Sequence, residues 1–269
     1  MSVPVPKQDI AKRLGIARST LYYHSKRAVR DEQLRQDIYL VLHLHPSYGH
    51  RRLAIHLGIN KKRVLRVMHA YDIKPYRRRG KKPTYTKAPS LADASLPNLV
   101  ANYFPVCIND VWASDFTYIP YEGQFIYVAT VLDVFSRQIV GWHVSKAHDT
   151  ALVASALYDA LEHYGRPRIL HSDRGGEYLS QAYTELATQC GIELSYSAKA
   201  HPWQNSYQES FYNGFKIDLG DPSRFEDSGQ LIEAIHLQLY VYNTYRIHLS
   251  LRMAPKQYLA KQKTAVLVG

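Results

Sequence analysis

Three carboxylates stand apart from the other acidic residues because of the segments that carry them. Asp115 lies inside the apolar segment 111–119, which predicts a central strand. Asp173 follows a short apolar run and precedes two glycines, a common way to present an acid at the end of a strand. Glu209 lies on a predicted helix, with 35 residues between it and Asp173. Two strands and a helix would therefore each supply one acid.

These three acids predict a divalent-metal site. A single aspartate at a strand end is more often a turn or capping residue, but the set of three is more specific. Mg²⁺ and Mn²⁺ prefer oxygen ligands, and proteins usually hold them with a few carboxylates together with substrate phosphates. Two such ions can stabilise both the attacking and the leaving oxygen of a phosphoryl displacement. We therefore expect Mg²⁺ or Mn²⁺ as the cofactor, in two copies.

Several sequence blocks surround the three acids and carry a family resemblance that covers most of the chain. The blocks are YGHRR at 48–52, WASDFTYI at 112–119, SRQIVGW at 136–142, HSDRGGEY at 171–178 and HPWQNSYQESF at 201–211. Together with the spacing of the acids, they make the chain similar to DDE transposases of the insertion-sequence-three type, second reading frame. The same core resembles that of retroviral integrases.

The resemblance implies a function and a fold. It implies a metal-dependent DNA transposase that binds insertion-sequence ends, nicks DNA to leave a 3′-hydroxyl, and joins that hydroxyl to a target phosphodiester. It assigns catalysis and metal binding to Asp115, Asp173 and Glu209. It also implies a ribonuclease-H-like α/β fold, a mixed sheet in the order βββαβαβα, preceded by a small all-α helix-turn-helix region.

Several residues near the three acids are expected to bind DNA or to support the site. Lys216 lies seven residues after Glu209, so the two share a helix face, and the resemblance makes Lys216 a candidate DNA contact. Asn205 shares that face and is a second candidate DNA contact. His171 and Asp133 are expected to be supporting and structural residues rather than metal ligands.

The front of the chain is strongly basic. Residues 1–90 carry 21 Lys and Arg against 5 Asp and Glu, whereas residues 91–269 carry 13 against 18. Such a front can neutralise nucleic-acid phosphates. Two helix-turn-helix patterns and a basic linker supply the candidate DNA contacts. These contacts are Arg18, Ser19 and Thr20 in the first pattern, Lys61, Lys62, Arg63 and Arg66 in the second, and Arg77, Arg78 and Arg79 in the linker.

Changes in composition and hydrophobic pattern along the chain predict four parts. Residues 1–30 form a short helix-turn-helix, and residues 31–83 form a basic helical DNA-binding region. A linker spans 84–108, and the integrase-like catalytic core spans 109–262. Within the core we expect strands at 111–119, 125–133 and 138–145, a helix at 151–164, one helix over 177–190, and Glu209 on a later helix.

Composition narrows the class of protein. Two cysteines in no paired motif indicate a reducing compartment and exclude a disulfide framework or a zinc ribbon. No apolar run approaches the ~18 residues that span a membrane, and the N-terminus lacks a signal-peptide core. We expect a cytoplasmic, nucleoid-associated protein without a membrane partner. Its expected partners are double-stranded DNA, further copies of itself on DNA, and the product of an upstream reading frame.

Two other functions remain compatible with parts of the sequence. One is a helix-turn-helix DNA-binding regulator of transposition whose core is inactive, although the intact set of acids argues against it. The other is a plain ribonuclease-H-type nuclease, which the basic front disfavours. The family pattern often has Asn-Gly before the glutamate, whereas this chain has Asn205 and Ser206. A serine there costs little if the backbone is helical.

Overall fold

The computed structural model describes residues 6–22, 26–76, 96–197 and 205–268. Helices of the front part are α1 (Lys7–Arg13), α2 (Arg27–Leu44), α3 (His50–His56) and α4 (Lys61–Ala70), with a 3₁₀ helix at Arg18–Tyr22. The first half of the core contains β1 (Val111–Tyr121), β2 (Gln124–Asp133), β3 (Ile139–Ser145), α5 (Thr150–Tyr164) and β4 (Ile169–Ser172). The second half contains α6 (Gly176–Leu179), α7 (Gln181–Gln189), β5 (Glu193–Tyr196), α8 (Ser206–Leu219), α9 (Ser228–Thr244) and α10 (Pro255–Val268), with a 3₁₀ helix at Pro222–Arg224.

The five strands form one mixed sheet in the order β3-β2-β1-β4-β5. β1 pairs antiparallel with β2, and β2 pairs antiparallel with β3, because short turns join them. β1 and β4 are parallel, as are β4 and β5, and helices make the crossovers. The predicted order βββαβαβα is confirmed up to α8. β4 pairs with β1 only over residues 111–113, so β1 passes beyond β4 near Asp115.

Helices cover both faces of the sheet. Phe211, Phe215 and Leu239 from α8 and α9 are buried against one face, in the cluster that contains Val128 of β2. α5 and α7 cover the other face. There Gly141 of β3 allows a close approach, since a Cβ at this position would lie 2.6 Å from the backbone nitrogen of Ala160. The sheet is therefore buried on both sides and acts as a rigid platform.

Local signals explain where several elements begin and turn. Glu122 and Gly123 both have positive φ, 47° and 73°, as a tight two-residue hairpin requires. Asp149 caps α5 by accepting a hydrogen bond from the backbone N–H of Leu152 at 3.0 Å. Asn60 caps α4 by accepting a hydrogen bond from the backbone N–H of Lys62 at 2.8 Å.

The helices of the front part have their own core. Leu34, Ile38, Val64 and Met68 are among its buried members. Ile247, which follows α9, also packs into this cluster. The front part and the core thus share buried apolar surface. None of the described helices is long and apolar enough to cross a membrane.

Two sequence-based element predictions need correction. The second helix of the first helix-turn-helix is described as the 3₁₀ helix Arg18–Tyr22. The helix expected over 177–190 is two helices, because Ser180 has extended backbone with ψ of 146°. Ser180 ends one helix and caps the next through its hydroxyl, which accepts from Tyr183.

Candidate active site

The three predicted acids lie where two strands and a helix meet. Asp115 is half-buried on β1, opposite Thr130 of β2. Asp173 directly follows β4, the parallel neighbour of β1, and is exposed. Glu209 is in the first turn of α8 and is exposed. Because neighbouring parallel strands point their carboxyl ends the same way, Asp115 and Asp173 emerge from one edge of the sheet.

Two buried residues of α8 attach this helix to β1. Gln208 donates from its amide to the carbonyl oxygen of Ala113 at 2.6 Å and to that of Thr130 at 3.1 Å. The hydroxyl of Tyr212 donates to the carbonyl oxygen of Asp115 at 2.8 Å. Gln208 directly precedes Glu209, so these bonds fix the helical acid relative to the strand acid.

The electrostatics of Asp115 show that the three acids act on one another. Burial, together with the negative charges of Asp173 and Glu209, raises the pKa of Asp115 to about 7. The cation of Lys216 and the backbone N–H of Phe116 partly oppose this rise. Partial desolvation also raises the pKa of Glu209. A cation placed among these carboxylates would relieve their repulsion.

The donor set fits a hard divalent cation in chemistry, since all three groups are carboxylates. Within the part of the chain that the structure describes, no three His, Cys, Asp or Glu side chains lie close enough together to hold one metal ion as they stand. Asp173 Oδ1 instead accepts a hydrogen bond from the backbone N–H of Gly175 at 2.9 Å. Ion binding would therefore require side-chain adjustment, which the exposure of Asp173 and Glu209 permits.

A buried hydrogen-bond network supports the loop that carries Asp173. The two ring nitrogens of His171, which is 2% exposed, lie 2.9 Å from the hydroxyls of Ser195 and Ser197. Arg174 donates from Nε to the carbonyl oxygen of Ser197 at 2.9 Å. His171 is consequently a supporting residue beneath the loop, as its position predicted.

Comparisons with known proteins identify the family. Two models described as "Integrase core domain" match residues 105–202 and 190–255. The transposase for insertion sequence element IS904 of Lactococcus lactis subsp. lactis (strain IL1403) is 35% identical over 244 residues, which are 83% of this chain and 92% of that relative. The chain belongs to the insertion-sequence transposase family. Another family member, the transposase for IS629 of Shigella sonnei, is 32% identical over 260 residues, 88% and 86% of the two chains.

The fold of this transposase family member is also found in a viral assembly. The chain resembles a protein of the simian T-cell lymphotropic virus intasome, solved in complex with PP2A regulatory subunit B56 gamma. The TM-score is 0.50 with 20% identity, and the match covers 78% of this chain and 70% of that one. This likeness confirms the ribonuclease-H-like integrase fold that the order of elements predicted.

The basic residues of α4, in the predicted second helix-turn-helix, fall into two groups. Lys61 and Lys62 are exposed at the start of α4. Arg66, in contrast, forms two hydrogen bonds of 2.6 Å with the carboxylate of Asp31 on α2. Arg63 donates to the carbonyl oxygen of Arg30 at 3.2 Å. Arg66 thus holds two helices together, a structural role that its position on a basic helix face did not indicate.

The remaining candidate contacts differ in accessibility. Arg18, Ser19 and Thr20 are exposed on the first 3₁₀ helix, whereas Arg77, Arg78 and Arg79 lie outside the described residues. Lys216 is half-buried, with its ammonium 5.1 Å from the centroid of the Tyr118 ring. Asn205 is 7% exposed and donates to the carbonyl oxygen of Ser114 at 3.4 Å. The Asn205 amide therefore binds the backbone of β1 in this structure.

Asp133 has the structural role that the sequence predicted. It is fully buried, and its carboxylate accepts hydrogen bonds from the backbone N–H groups of Asn109 and Ser136 and from the Ser136 hydroxyl, at 2.7–2.8 Å. Sequence reasoning missed Gln208 and Tyr212. Their places one residue before and three after Glu209 were the available signal, because a helix presents positions i and i+4 on one face.

Proposed function

We infer that this protein is a DNA transposase that cleaves DNA strands and transfers them to a target. One observation carries this conclusion: β1, the end of β4 and α8 supply three carboxylates, and burial together with the negative charges of Asp173 and Glu209 raises the pKa of Asp115 to about 7. A carboxyl whose pKa is strongly raised by desolvation and by specific charged neighbours is typical of a functional site. The regulator hypothesis gives this costly cluster no purpose.

The reaction proceeds in two displacements at phosphorus. Water first attacks a phosphodiester, so that a P–O bond breaks and a 3′-hydroxyl is left on the element end. That hydroxyl then attacks a phosphodiester of the target, and the displaced 3′-oxygen of the target strand leaves. Asp115, Asp173 and Glu209 orient the reacting groups, and Lys216 provides a cation for a nearby DNA phosphate.

The proposed cofactor is Mg²⁺ or Mn²⁺, two ions per site, held by Asp115, Asp173 and Glu209. When bound, such ions neutralise phosphate charge and lower the pKa of an attacking water or hydroxyl. Gln208 and Tyr212 keep the carboxylates of α8 and β1 in register while the exposed acids adjust. His171 holds the Asp173 loop from below.

Successive parts of the chain have different proposed roles. The helix-turn-helix part (1–30) and the basic helical region (31–83) bind element ends through Arg18, Ser19, Thr20, Lys61, Lys62 and Arg63 and through the linker arginines. The catalytic core (109–262) performs the chemistry, and a linker (84–108) joins the two. Several copies assemble on double-stranded DNA, with or without the product of an upstream frame. A DNA-bound protein of this kind works in the cytoplasm, at the nucleoid.

Strand cleavage and transfer by purified protein test this function. Asp115→Asn, Asp173→Asn and Glu209→Gln should each abolish metal-dependent cutting and joining of DNA that carries the element ends, while DNA affinity stays within a few-fold of wild type. Glu185→Gln, at an exposed position of α7, is the matched control and should cut normally. Cutting at wild-type rate by any of the three acid variants would contradict the assignment.

A further inference from the structure

An inter-region contact fastens the front helices to the helix that carries Glu209. We name it the latch and define it by Ser47, Tyr48 and Arg52 on the front side and Asp218, Arg246 and Ile247 on the core side. Asp218 lies in the last turn of α8, nine residues after Glu209, so the two acids are about 14 Å apart along one helix axis. A rigid helix therefore connects the latch with the active site.

A buried ion pair forms the centre of the latch. Arg246 Nε donates to Asp218 Oδ2 at 2.8 Å, and the two side chains are 6% and 0% exposed. Both partners also bind the front part: the backbone N–H of Ser47 donates to Asp218 Oδ1 at 3.1 Å, and Arg246 donates to the Ser47 hydroxyl at 3.0 Å. Buried charges tolerate little displacement, because each needs its partner.

A tyrosine forms the second half of the latch. Tyr48 is fully buried, and its hydroxyl accepts from the backbone N–H of Ile247 at 2.6 Å. Arg52 donates to the carbonyl oxygen of the same residue at 3.0 Å. Ile247 itself packs in the apolar cluster of the front helices. Both backbone groups of one core residue are therefore bound by the front part.

Gly214 on α8 leaves space for the side chain of Arg246 in the latch. This residue lies inside the helix, where alanine would normally be favoured. A Cβ here would come within 3.1 Å of the guanidinium carbon of Arg246. The missing side chain thus gives Arg246 the space to reach Asp218.

The latch also places the end of the front part beside the active-site helix. The backbone N–H of Tyr76 donates to the carbonyl oxygen of Pro46 at 3.2 Å, next to Ser47. A cavity of about 600 Å³ is lined by Pro46 and Tyr76 of the front part together with Tyr118 and Lys216. The front helices and the catalytic centre therefore adjoin one another.

We propose that the latch determines where the DNA is cut, by fixing the distance between the DNA held by the front helices and the carboxylates of the core. The proposal rests on the transposase function given above. Its residues are positioning residues: they touch neither the reacting phosphate nor the bases. If the latch loosens, the core reaches neighbouring phosphodiesters, and cuts spread along the strand although binding and chemistry persist.

Cut positions mapped at single-nucleotide resolution test this role. Two latch variants of the full chain loosen it from opposite sides: the double change Ser47→Ala with Tyr48→Phe, and Gly214→Ala. Tyr158→Phe, on the exposed face of α5, is the control. We expect one dominant cut position for wild type and control. In the latch variants, the share of cuts at other positions should rise about fivefold for each hydrogen bond removed. A hydrogen bond of ordinary net strength changes the ratio of two populations by about this factor.

A second readout does not require catalysis. Cys107 is exposed, so in a Cys190→Ser background it can carry an iron–EDTA reagent that cleaves nearby DNA by hydroxyl radicals. Radical cuts should form a narrow cluster for wild type and a broad one for the latch variants. Narrow, unmoved clusters in both latch variants would overturn the proposal. If the wild-type protein makes no cuts of its own but gives a narrow radical cluster, the transposase function is refuted while DNA binding stands. The role of the latch is then tested by comparing the width of the radical cluster between wild type and the latch variants.

Discussion

The side-chain amide of Gln208 donates to the carbonyl oxygen of Ala113 at 2.6 Å. This bond connects the residue before Glu209 with a residue two positions before Asp115 on β1. Gln208 is fully buried, and its amide oxygen accepts from the Thr130 hydroxyl at 3.0 Å. One side chain thereby sets the separation of two acids that come from distant parts of the sequence.

Replacing Gln208 should damage catalysis more than DNA binding. Gln208→Leu keeps the side-chain volume but leaves the carbonyl groups of Ala113 and Thr130 without this donor. We expect cutting to fall about 10–100-fold, the usual cost of removing a residue that orients metal ligands. Steady-state cutting and equilibrium binding on the same DNA would show this. Gln181→Leu, at an exposed position of α7, should leave cutting unchanged. An equal drop in affinity and rate would indicate a general folding defect instead.

Asp115 should make the metal-free protein less stable as pH rises. Its pKa is about 7 in the folded state and near 3.8 in the unfolded chain, so the folded state holds an extra proton between these values. The free energy of unfolding therefore falls as pH rises from about 4 to 7. At ~1.4 kcal/mol per pKa unit the full effect is about 4 kcal/mol, and less for a half-buried group.

Asp115→Asn isolates this contribution. In the presence of a chelator, the variant should match wild type near pH 4 and be more stable by roughly 2–4 kcal/mol at pH 8. Chemical denaturation at a series of pH values measures the difference. Adding Mg²⁺ at pH 8 should stabilise wild type and have a smaller effect on the variant. A difference that does not change with pH would show that Asp115 titrates normally.

Lys61 and Arg66 share α4 but should behave differently when replaced. The double change Lys61→Ala with Lys62→Ala should reduce the slope of log affinity against log salt by about 0.9 for each phosphate that is no longer neutralised, with an unchanged melting temperature. Arg66→Ala should instead lower the melting temperature, because it removes the two hydrogen bonds that Asp31 accepts from the guanidinium. Lys261→Ala, exposed on α10, is the control. A full-strength salt slope in the double variant would remove α4 from the DNA-binding surface.

Gly141 should not tolerate a methyl group. In Gly141→Ala the added carbon meets the backbone of Ala156 and Ala160 on α5, so the helix must move away from the sheet. Overpacking of this kind costs about 1–3 kcal/mol, and thermal unfolding should show a lower melting temperature. Gly49→Ala, where a Cβ meets nothing within 4 Å, should change it little. Similar melting temperatures for the two variants would mean that α5 moves freely on β3.

The core could be predicted from the sequence because its signals are local. Asp115 sits in an apolar strand, Asp173 precedes glycines, and the strand order follows from turn lengths and crossovers. The break between α6 and α7 at Ser180 was missed because a serine is tolerated within a helix and is equally a good N-terminal cap. The 3₁₀ helix at Arg18–Tyr22 was missed for a similar reason. Over one short turn, an α-helix and a 3₁₀ helix have the same sequence pattern.

Contacts between residues far apart in the sequence could not be predicted in the same way. The basic face of α4 does not reveal that Asp31, 35 positions earlier, forms hydrogen bonds with Arg66. Asn205 shares a helix face with Glu209, but the position of β1 beneath it decides that its amide is buried. Such contacts depend on tertiary packing, which periodicity along one element does not encode.

The bond between Tyr48 and Ile247 joins residues 199 positions apart, and this has a consequence for synthesis on the ribosome. At about 5–20 residues per second, the partner of Tyr48 emerges roughly 10–40 s after Tyr48 itself. Until then the front helices lack Ile247 in their apolar cluster, and Tyr48 has no backbone donor there. The nascent chain should therefore complete its front helical part last, together with its final core helices, so that a truncated product would lack a finished front part.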